Sequence, residues 1–377
     1  MRILYFSVLF EFFGSESYIT SEIKYLINAY PNTEFIVYSV DSKQNRVIRY
    51  DKNILWIQRR KLKNFKVILF FLRDMIIILT KFKPDIIHSV YVNESIIMGF
   101  IAKLFRIPSI LHSRGTDFNF FSFISLKRNL LVRIANMLNN CIITVSETMR
   151  SDGYRLNIPL NKMITLYDGI EFSDFNPASK ENDITSNKIF QILNIGRFSP
   201  EKCHDIIIES CKKLKENNFN FHMTFIGFGN LESQIKNKIK QYDLEKWITI
   251  VGFIKHENIS QYLSKADLYI QPSLIEGMPI AVLEAMSMEL PIIMTNIGGM
   301  RELNVESGVI LIEKKNAIQL YNAIISFMNN REKMKIGGKK NRAFILKNFN
   351  WELHSKKLYN IYLELTKKKR FRNPINN

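Results

Sequence analysis

Short apolar runs alternate along this chain with longer segments of helical periodicity. Runs such as Cys141–Val145 (CIITV) and Pro291–Thr295 (PIIMT) have apolar residues side by side, without polar residues at every second position. Strands buried on both faces of a parallel sheet show this pattern, whereas strands with one exposed face alternate. The sequence therefore predicts an α/β fold with parallel sheets.

A polar loop, Ser173–Lys188, interrupts the alternation, which then starts again. A chain of 377 residues exceeds one ordinary core, so two domains are expected. We predict two Rossmann-like, doubly wound domains, residues 1–175 and 176–357, that face a central cleft. The segment 358–377 is expected to pack back on the first domain. Ligands of such sheets bind beyond the carboxyl ends of the strands.

Composition narrows the class of protein. The hydrophobic fraction of 46% and charged fraction of 23% are those of a globular protein. The net charge of +18 favours nucleic acid, anionic lipid or phosphorylated ligands without choosing among them. Because no nucleic-acid module and no interleaving of aromatic and basic residues occurs, we predict no nucleic-acid partner. Three scattered cysteines suit neither a disulfide framework nor a zinc site, which favours the reducing cytosol.

The N-terminal stretch MRILYFSVLFEFFG is apolar enough to be mistaken for a signal sequence. Glu11 interrupts it and no small-residue cleavage site follows, so it is predicted to form a buried strand. The apolar segment Val67–Thr80 is shorter than the ~20 residues of a membrane span and has Arg73 and Asp74 at its centre. No transmembrane helix is expected.

Residues 59–83 combine a basic flank with this apolar segment. Such a segment suits either an anionic membrane surface or a core helix with a solvated basic edge, and both interpretations stay open. The predicted location is the cytoplasm, and the alternative is peripheral binding to the inner face of the plasma membrane.

The stretch EGMPIAVLE has one carboxylate, Glu276, in a loop and another, Glu284, inside an apolar helix. Pro279 suits the first helical turn, and Gly277 lets the backbone approach a ligand. Because a buried unpaired carboxylate is costly, Glu284 needs hydrogen-bond donors, and sugar or ribose hydroxyls would serve. The alternative is a structural salt bridge for Glu284 and an exposed loop position for Glu276.

A second constellation precedes it in LNIGRFSPEK. Gly196 ends a predicted strand, and Arg197 and Lys202 flank the start of the next helix. Two cations beside helix N–H groups can bind a diphosphate, although an ordinary basic loop has the same residues. The turns FIGFGN and IVGF are further glycine-bearing connections, each a weak signal alone.

In this order, the blocks GRFSPEK, FIGFGN, VGF, ADLYIQPSLIEGMPIAVLEAM and PIIMTNIGGMRE resemble the glycosyltransferases of family 4. These are retaining, nucleotide-sugar-dependent enzymes with the GT-B fold, and EGMPIAVLE matches their E-x7-E signature. The resemblance is strong over roughly residues 190–305 and looser before them.

The resemblance implies roles for particular residues. Arg197 and Lys202 would hold the donor diphosphate and stabilise the departing nucleotide. Glu276 would bind donor-sugar hydroxyls, and Glu284 would accept from the ribose. The other implied donor-site positions are the glycine turns, the residues before the helix and a base contact: Gly14, Gly196, Gly227, Gly277, Met278, Pro279 and Phe253.

In the first half, LHSRGTD resembles the family's His/Arg-Gly-x-Asp segment. His112, which is also predicted to be catalytic, and Asp117 would contact the donor sugar or the acceptor hydroxyl; the alternative is a structural turn. Gly14 is a single glycine where the family often has two, and Tyr167–Glu171 is expected to be a hinge-side turn.

The predicted activity is sugar transfer, with retention, to a glycan or lipid-linked glycan acceptor in bacterial surface polysaccharide synthesis. UDP is preferred because it is the usual donor nucleotide of the resembled family. Members usually work without a metal, and no D-x-D motif occurs, so neither a metal nor a cofactor is expected. The alternatives are a GT-B epimerase or phosphorylase, and a non-enzymatic protein that binds anionic surfaces.

Overall fold

The computed structural model forms two compact units. Unit 1 comprises Met1–Gly169 and Trp351–Asn377, and unit 2 comprises Ile170–Asn350. Both divisions lie a few residues before the predicted ones, and the C-terminal helix belongs to unit 1. The structure describes residues 1–7, 15–41, 47–51, 53–60, 65–114, 126–177 and 189–372.

Unit 1 contains an eight-stranded sheet. Its strands are β1 (Arg2–Ser7), β2 (Glu34–Asp41), β3 (Val47–Asp51), β4 (Ile54–Arg60), β5 (Ile86–Val90), β6 (Ser109–Ser113), β7 (Cys141–Thr144) and β8 (Met163–Thr165). They are ordered β3-β4-β2-β1-β5-β6-β7-β8, and all pairs are parallel except β3 with β4. As their apolar runs predict, β5, β6 and β7 are buried throughout. The edge strand β3 and its neighbour β4 were not predicted, because Arg49 interrupts the apolar pattern of β3, and Arg59 and Arg60 follow only a short apolar run in β4.

Helices cover both faces of this sheet. They are α1 (Ser15–Ala29), α2 (Phe65–Ile77), α3 (Val92–Leu104), α4 (Leu126–Leu138), α5 (Glu147–Arg155) and the C-terminal α12 (Trp351–Arg372), and a π-helical turn, Ile78–Phe82, extends α2. One core cluster joins α1 to Leu358 and Tyr362 of α12. A second cluster joins Met75 of α2 to Met98 of α3 on the opposite face. The C-terminal helix therefore completes the core of unit 1.

Unit 2 is a doubly wound parallel sheet. Its strands are β9 (Phe190–Ile195), β10 (Phe221–Ile226), β11 (Ile248–Gly252), β12 (Leu268–Gln271), β13 (Ile292–Thr295) and β14 (Val309–Ile312), in the order β11-β10-β9-β12-β13-β14. Its helices are α6 (His204–Glu216), α7 (Glu232–Gln241), α8 (Ile259–Lys265), α9 (Ile280–Ser287), α10 (Ala317–Met328) and α11 (Arg331–Asn348). The strand order reverses at β9, which lies between β10 and β12. Ligands bind such sheets beyond the carboxyl ends of the strands at the reversal.

None of the helices in the described ranges is both long and apolar enough to cross a bilayer.

Candidate active site

Arg197 and Lys202 lie in the connection after β9, where the strand order of unit 2 reverses. Pro200–Lys202 form a 3-10 turn, and Cys203, with a left-handed backbone (φ 51°), separates Lys202 from α6. The Arg197 side chain is 52% exposed, and its guanidinium lies 3.4 Å from the Glu201 carboxylate. The connection therefore presents an accessible cation in front of a helix.

Lys202 and Glu276 form the central ion pair of this region. The Lys202 Nζ lies 2.5 Å from Glu276 Oε1, although 74 residues separate them, because β9 and β12 are neighbours in the sheet. Their side chains are 16% and 12% exposed. The ammonium group has three donors, so two remain for a further acceptor such as a phosphate.

Two buried side chains from the end of β12 fix the same carboxylate. Gln271 Nε2 donates to Glu276 Oε1 at 3.0 Å, and the Ser273 hydroxyl donates to it at 2.8 Å. Gln271 Oε1 in turn accepts from the Tyr269 hydroxyl at 2.9 Å, and Tyr269 is fully buried. Among the described residues, no side chain donates to Glu276 Oε2. The network thus orients one oxygen and leaves the other to accept from a ligand.

Gly298 holds the loop that carries Glu276. This glycine begins a 3-10 turn after β13 and has a φ of +43°, which favours glycine. A Cβ at this position would lie 2.3 Å from the carbonyl oxygen of Glu276. The close packing of two loops therefore requires glycine at position 298, the first glycine of NIGGMRE.

Glu284 lies inside α9 and is 4% exposed. Its partner is His256, whose Nε2 lies 2.6 Å from Glu284 Oε1 and whose side chain is 44% exposed. The hydrogen bond to Glu284 raises the pKa of His256, burial partly opposes this rise, and the charge of Asp174 adds to it. The sequence predicted ribose hydroxyls or a structural salt bridge for Glu284, and His256 was not predicted as its partner.

Gly277, Met278 and Pro279 are buried directly before α9. Pro279 occupies the capping position, and the helix starts at Ile280, one residue later than predicted. Their predicted contacts with sugar and phosphate stay predictions.

The glycine turns after β9, β10 and β11 pack closely together. Gly227 has a φ of +151°, and a Cβ there would lie 1.9 Å from the Gly196 carbonyl oxygen. Its amide donates to the Gly252 carbonyl at 2.9 Å. Phe253 follows, 51% exposed, with its ring 5.7 Å from that of Phe228 in an edge-to-face arrangement. An exposed aromatic ring therefore borders the carboxyl edge of the sheet.

His112, predicted to contact a substrate, lies on β6 in unit 1 and is fully buried. Its Nδ1 is 3.2 Å from Nε2 of His88, whose Nδ1 is 2.7 Å from the Tyr362 hydroxyl of α12. Burial lowers the pKa of His88 to about 3 and that of His112 well below its usual value. Because the ring has no exposed atom, this placement does not match a direct contact with substrate.

Arg114, two residues later, is the centre of a buried polar network. Its guanidinium lies 2.5 Å from Glu22 of α1 and 3.6 Å from the ring of Tyr18. His354 of α12 is 3.3 Å from the same carboxylate and 2.7 Å from the Tyr167 carbonyl oxygen. Burial would raise the pKa of Glu22, but Arg114, His354 and His112 together outweigh it, and the pKa falls well below its usual range. The network ties α1, β6 and α12 together.

The cluster of Glu22, His88 and His112 has the donor types of a metal site, with ligand atoms within 4.8 Å of one another. An ion there would have to displace the Arg114 cation from Glu22 and break the contact between the two histidines. Since a neighbouring guanidinium repels a metal ion, these residues fit a structural network better than a metal site.

Gly14 and Asp117, predicted donor- and acceptor-site residues, lie outside the described residues. Of the site residues that were not predicted, Glu22, His256 and His354 belong to none of the motifs named above. Arg114, Gln271, Ser273 and Gly298 lie within LHSRGTD, ADLYIQPSLIEGMPIAVLEAM and PIIMTNIGGMRE, but no role was predicted for them. For Gln271, the position of an amide directly after the apolar run LYI was a further signal in the sequence.

Two models of protein families match this chain. The family model described as "Glycosyltransferase Family 4" matches residues 14–174, and the model described as "Glycosyl transferases group 1" matches residues 176–344. The two matches follow each other and fall on unit 1 and unit 2.

Three curated relatives are similar in sequence. The amylovoran biosynthesis glycosyltransferase AmsK of Erwinia amylovora is 32% identical over 44% of this chain and 41% of its own length. The uncharacterised glycosyltransferase MJ1178 of Methanocaldococcus jannaschii is 27% identical over 97% of this chain and 99% of its length. An Escherichia coli UDP-Gal:α-D-GlcNAc-diphosphoundecaprenol α-1,3-galactosyltransferase is 27% identical over 76% of this chain and 77% of its own length. The match to AmsK thus spans less than half of that relative.

Solved structures share the fold. Sucrose-phosphate synthase of Thermosynechococcus elongatus superimposes with a TM-score of 0.84 at 17% identity, over 97% of this chain and 99% of the other. Anabaena HepE in complex with UDP-glucose superimposes with a TM-score of 0.76 at 15% identity, over 97% of this chain and 100% of the other. With its two parallel-sheet α/β domains, this chain has the GT-B fold. Together with the two family models, this identifies the chain as a member of the group 1 and family 4 glycosyltransferases.

Proposed function

We propose that the protein is a retaining glycosyltransferase that transfers a sugar from a nucleoside diphosphate sugar, with UDP as the preferred nucleotide. The observation that carries this proposal is the pairing of Lys202 with Glu276 at the strand reversal of unit 2. A group that binds phosphate and a group that accepts from hydroxyls meet within 2.5 Å. This is the arrangement that the junction of sugar and diphosphate requires.

The proposed chemistry follows from the charges. The bond between the anomeric carbon and the diphosphate oxygen breaks, and the electron pair leaves with the phosphate. Lys202 and Arg197 stabilise the negative charge that develops there, and such fixed cations act most strongly in the transition state. The acceptor hydroxyl attacks the same face of the sugar and gives its proton to the departing diphosphate. We propose that these cations replace a metal ion in this role.

In the proposal, three further contacts bind the sugar, the ribose and the base of the donor. Glu276 Oε2 accepts from a hydroxyl of the sugar, Glu284 accepts from the ribose, and Phe253 contacts the base. The structural neighbour HepE has been solved with UDP-glucose, and the E. coli relative is named for UDP-Gal, which supports UDP as the nucleotide.

The proposed acceptor is a lipid-linked glycan used in bacterial surface polysaccharide synthesis. The E. coli relative is named for a diphosphoundecaprenol acceptor, and AmsK for amylovoran biosynthesis. An acceptor of this kind places the enzyme on the cytoplasmic face of the membrane.

The Arg197→Ala variant tests the proposal. Turnover of the accepted donor should fall by about 10²–10³-fold with an unchanged melting temperature. The matched control is Lys212→Ala, which removes the exposed pair of Lys212 with Glu216, 3.6 Å apart and also spaced four residues along the chain. Equal activity of both variants would contradict the proposal.

The nucleotide and the stereochemistry need a second measurement. Among nucleoside diphosphate sugars, a UDP-sugar should raise the melting temperature most and release UDP slowly in water. NMR of the transferred sugar should show the anomeric configuration of the donor. Inversion, or conversion of the donor without release of nucleotide, would contradict retaining transfer.

A further inference from the structure

Large apolar side chains are exposed on three consecutive helices of unit 1. Of the eighteen exposed large apolar side chains in the described ranges, eleven belong to α2, α3 and α4 or directly follow α3. They are Leu69, Phe70, Leu72, Ile76, Ile77, Ile97, Phe100, Leu104, Phe105, Leu130 and Met137. Single exposed apolar residues are ordinary, but a contiguous patch of them marks an interaction surface.

These helices lie on the same face of the sheet. Met75 of α2 and Met98 of α3 pack in one core cluster with β1, β2 and β5. Gly99 brings α3 against α4, since a Cβ there would lie 2.9 Å from Leu138 Cβ. The exposed side chains of the three helices therefore form one surface, which we call the outer helical face.

The helices α2 and α3 each have an outward apolar stripe in addition to the one that faces the core. Leu69, Leu72 and Ile76 follow the spacing i, i+3, i+7 on α2, and Ile97, Phe100 and Leu104 repeat it on α3. Leu104 and Met137 are 70% and 69% exposed. Helices that are apolar on two sides bury one side in their own core and need a second environment for the other.

The charges of the outer helical face have one sign. Its exposed charged side chains, within the described part of the chain, are all basic: Arg73, Lys81, Lys83, Lys103, Arg106 and Arg133. The two acidic residues of these segments do not offset them, because Asp74 is buried against the Tyr38 hydroxyl at 3.2 Å and Glu94 is partly buried. The surface is therefore both apolar and cationic.

We propose that the outer helical face docks on an anionic lipid bilayer. Basic side chains are attracted by the negative surface of the membrane, and apolar side chains enter the boundary between headgroups and acyl chains. The absence of exposed acidic side chains among the described positions of this face favours a uniformly anionic partner. The inference rests on the proposed function, because a lipid-linked acceptor lies in that bilayer. It extends the predicted contact from residues 59–83 to α3 and α4.

Vesicle flotation of the full-length protein tests the docking. The protein should float with vesicles of phosphatidylcholine and phosphatidylglycerol, and much less with phosphatidylcholine alone or at high salt. The triple variant Ile76→Ser, Phe100→Ser, Leu104→Ser should lower the bound fraction at least tenfold. The triple variant Lys81→Gln, Lys103→Gln, Arg106→Gln should lose the preference for anionic vesicles.

Matched controls lie in unit 2. Ile318→Ser with Ile336→Ser removes two exposed apolar side chains, at 60% and 49%, and should bind vesicles as the wild type does. Failure of the wild type to float with anionic vesicles, or wild-type binding by both triple variants, would overturn the proposal. So would a wild-type dimer in light scattering that the apolar variant dissociates without loss of vesicle binding.

The shift in melting temperature with a UDP-sugar separates the two proposals. All of these variants should retain it, since they lie outside the donor site. If vesicle binding fails while the shift remains, the docking is wrong and the proposed function stands. If the shift is absent from the wild type, the proposed donor chemistry fails, and flotation still decides whether the face binds lipid.

Discussion

At the scale of single residues, the candidate site is a set of carboxylates whose directions are set by hydrogen-bonded neighbours, some close in sequence and some far away. Glu276 has one oxygen occupied by Lys202, Gln271 and Ser273. Holding one oxygen in three hydrogen bonds leaves the carboxylate a single orientation before any ligand arrives. Its pairing thus has a positional role as well as an electrostatic one.

The Ser273→Ala variant tests this positional role. Hydrogen bonds to charged groups contribute about 1.5–3 kcal/mol, so kcat/KM for the nucleotide-sugar should fall by at least about tenfold. Ser264→Ala, which removes a hydroxyl that donates to the Gln261 carbonyl oxygen at 2.9 Å, is the control. An unchanged kcat/KM in Ser273→Ala would show that Gln271 and Lys202 orient the carboxylate without it.

His256 leads to a prediction about pH. Its pKa is raised by Glu284 above the ordinary value of about 6.5, so protonation favours the folded state. This stabilisation is complete below about pH 6.5 and is lost as the pH rises through the raised value. Glu284 and Asp174 are the charged groups that act on the ring.

Melting temperatures of the wild type and His256→Gln, measured across pH, test this. Glutamine can still donate to Glu284 but cannot carry a charge. The wild type should therefore melt higher than the variant in mildly acidic solution, and the difference should vanish in alkaline solution. A difference that stays constant with pH would show that the charge of His256 is irrelevant to stability.

At the scale of elements, three glycine-bearing connections pack against one another at the carboxyl edge of the unit 2 sheet. Gly227 and Gly252 both have positive φ, but their surroundings differ. A Cβ on Gly227 would lie 1.9 Å from a carbonyl oxygen, whereas a Cβ on Gly252 meets nothing within 4 Å. Substitutions at these two glycines therefore separate the free-energy cost of the backbone conformation from that of steric crowding.

We therefore expect Gly227→Ala to lower the free energy of unfolding more than Gly252→Ala. The open site should cost about 1 kcal/mol for the left-handed conformation, and the crowded site a further 1–3 kcal/mol or so. Urea unfolding measures both values. Equal losses would mean that the connection after β10 can move away from Gly196.

The strands and helices show what local pattern can predict. β6, β9, β12 and α11 begin and end where their apolar runs and flanking polar residues predict. The short helix α5 was missed, because its polar composition and Gly153 hide the periodicity. Its Ser146 cap, which accepts from the Met149 amide at 3.1 Å, was the available signal.

At the scale of the whole molecule, unit 1 is built from both ends of the chain. Leu358, Ile361 and Tyr362 of α12 are buried in its core, and His354 reaches Glu22. Unit 2 is one continuous segment with its own core cluster. The two units should therefore respond differently to loss of the C-terminal helix.

Ending the chain at Asn350 tests this expectation. Unit 1 should become sensitive to protease, because it loses several buried apolar side chains and a partner of its buried carboxylate. Unit 2 should resist protease and keep its stabilisation by a UDP-sugar. A chain ending at Arg372 is the control and should behave as the full-length protein does. Equal protease resistance of unit 1 in both truncations would contradict the assignment of α12 to its core.

The sequence by itself determined the two parallel α/β halves, the order of their elements and the positions of Arg197, Lys202, Glu276 and Glu284. These features are local: apolar periodicity records burial, and glycine or proline records a bend, within a few residues.

Only the tertiary structure decided which of these residues meet. Lys202 reaches Glu276 because β9 and β12 are neighbours, and Glu284 finds His256 because of the turn after β11. The tertiary structure also decided the exposure of the outer helical face, because the sequence does not distinguish an apolar residue in a core from one on a surface. Strand order and packing are non-local, so no short stretch of sequence contains them.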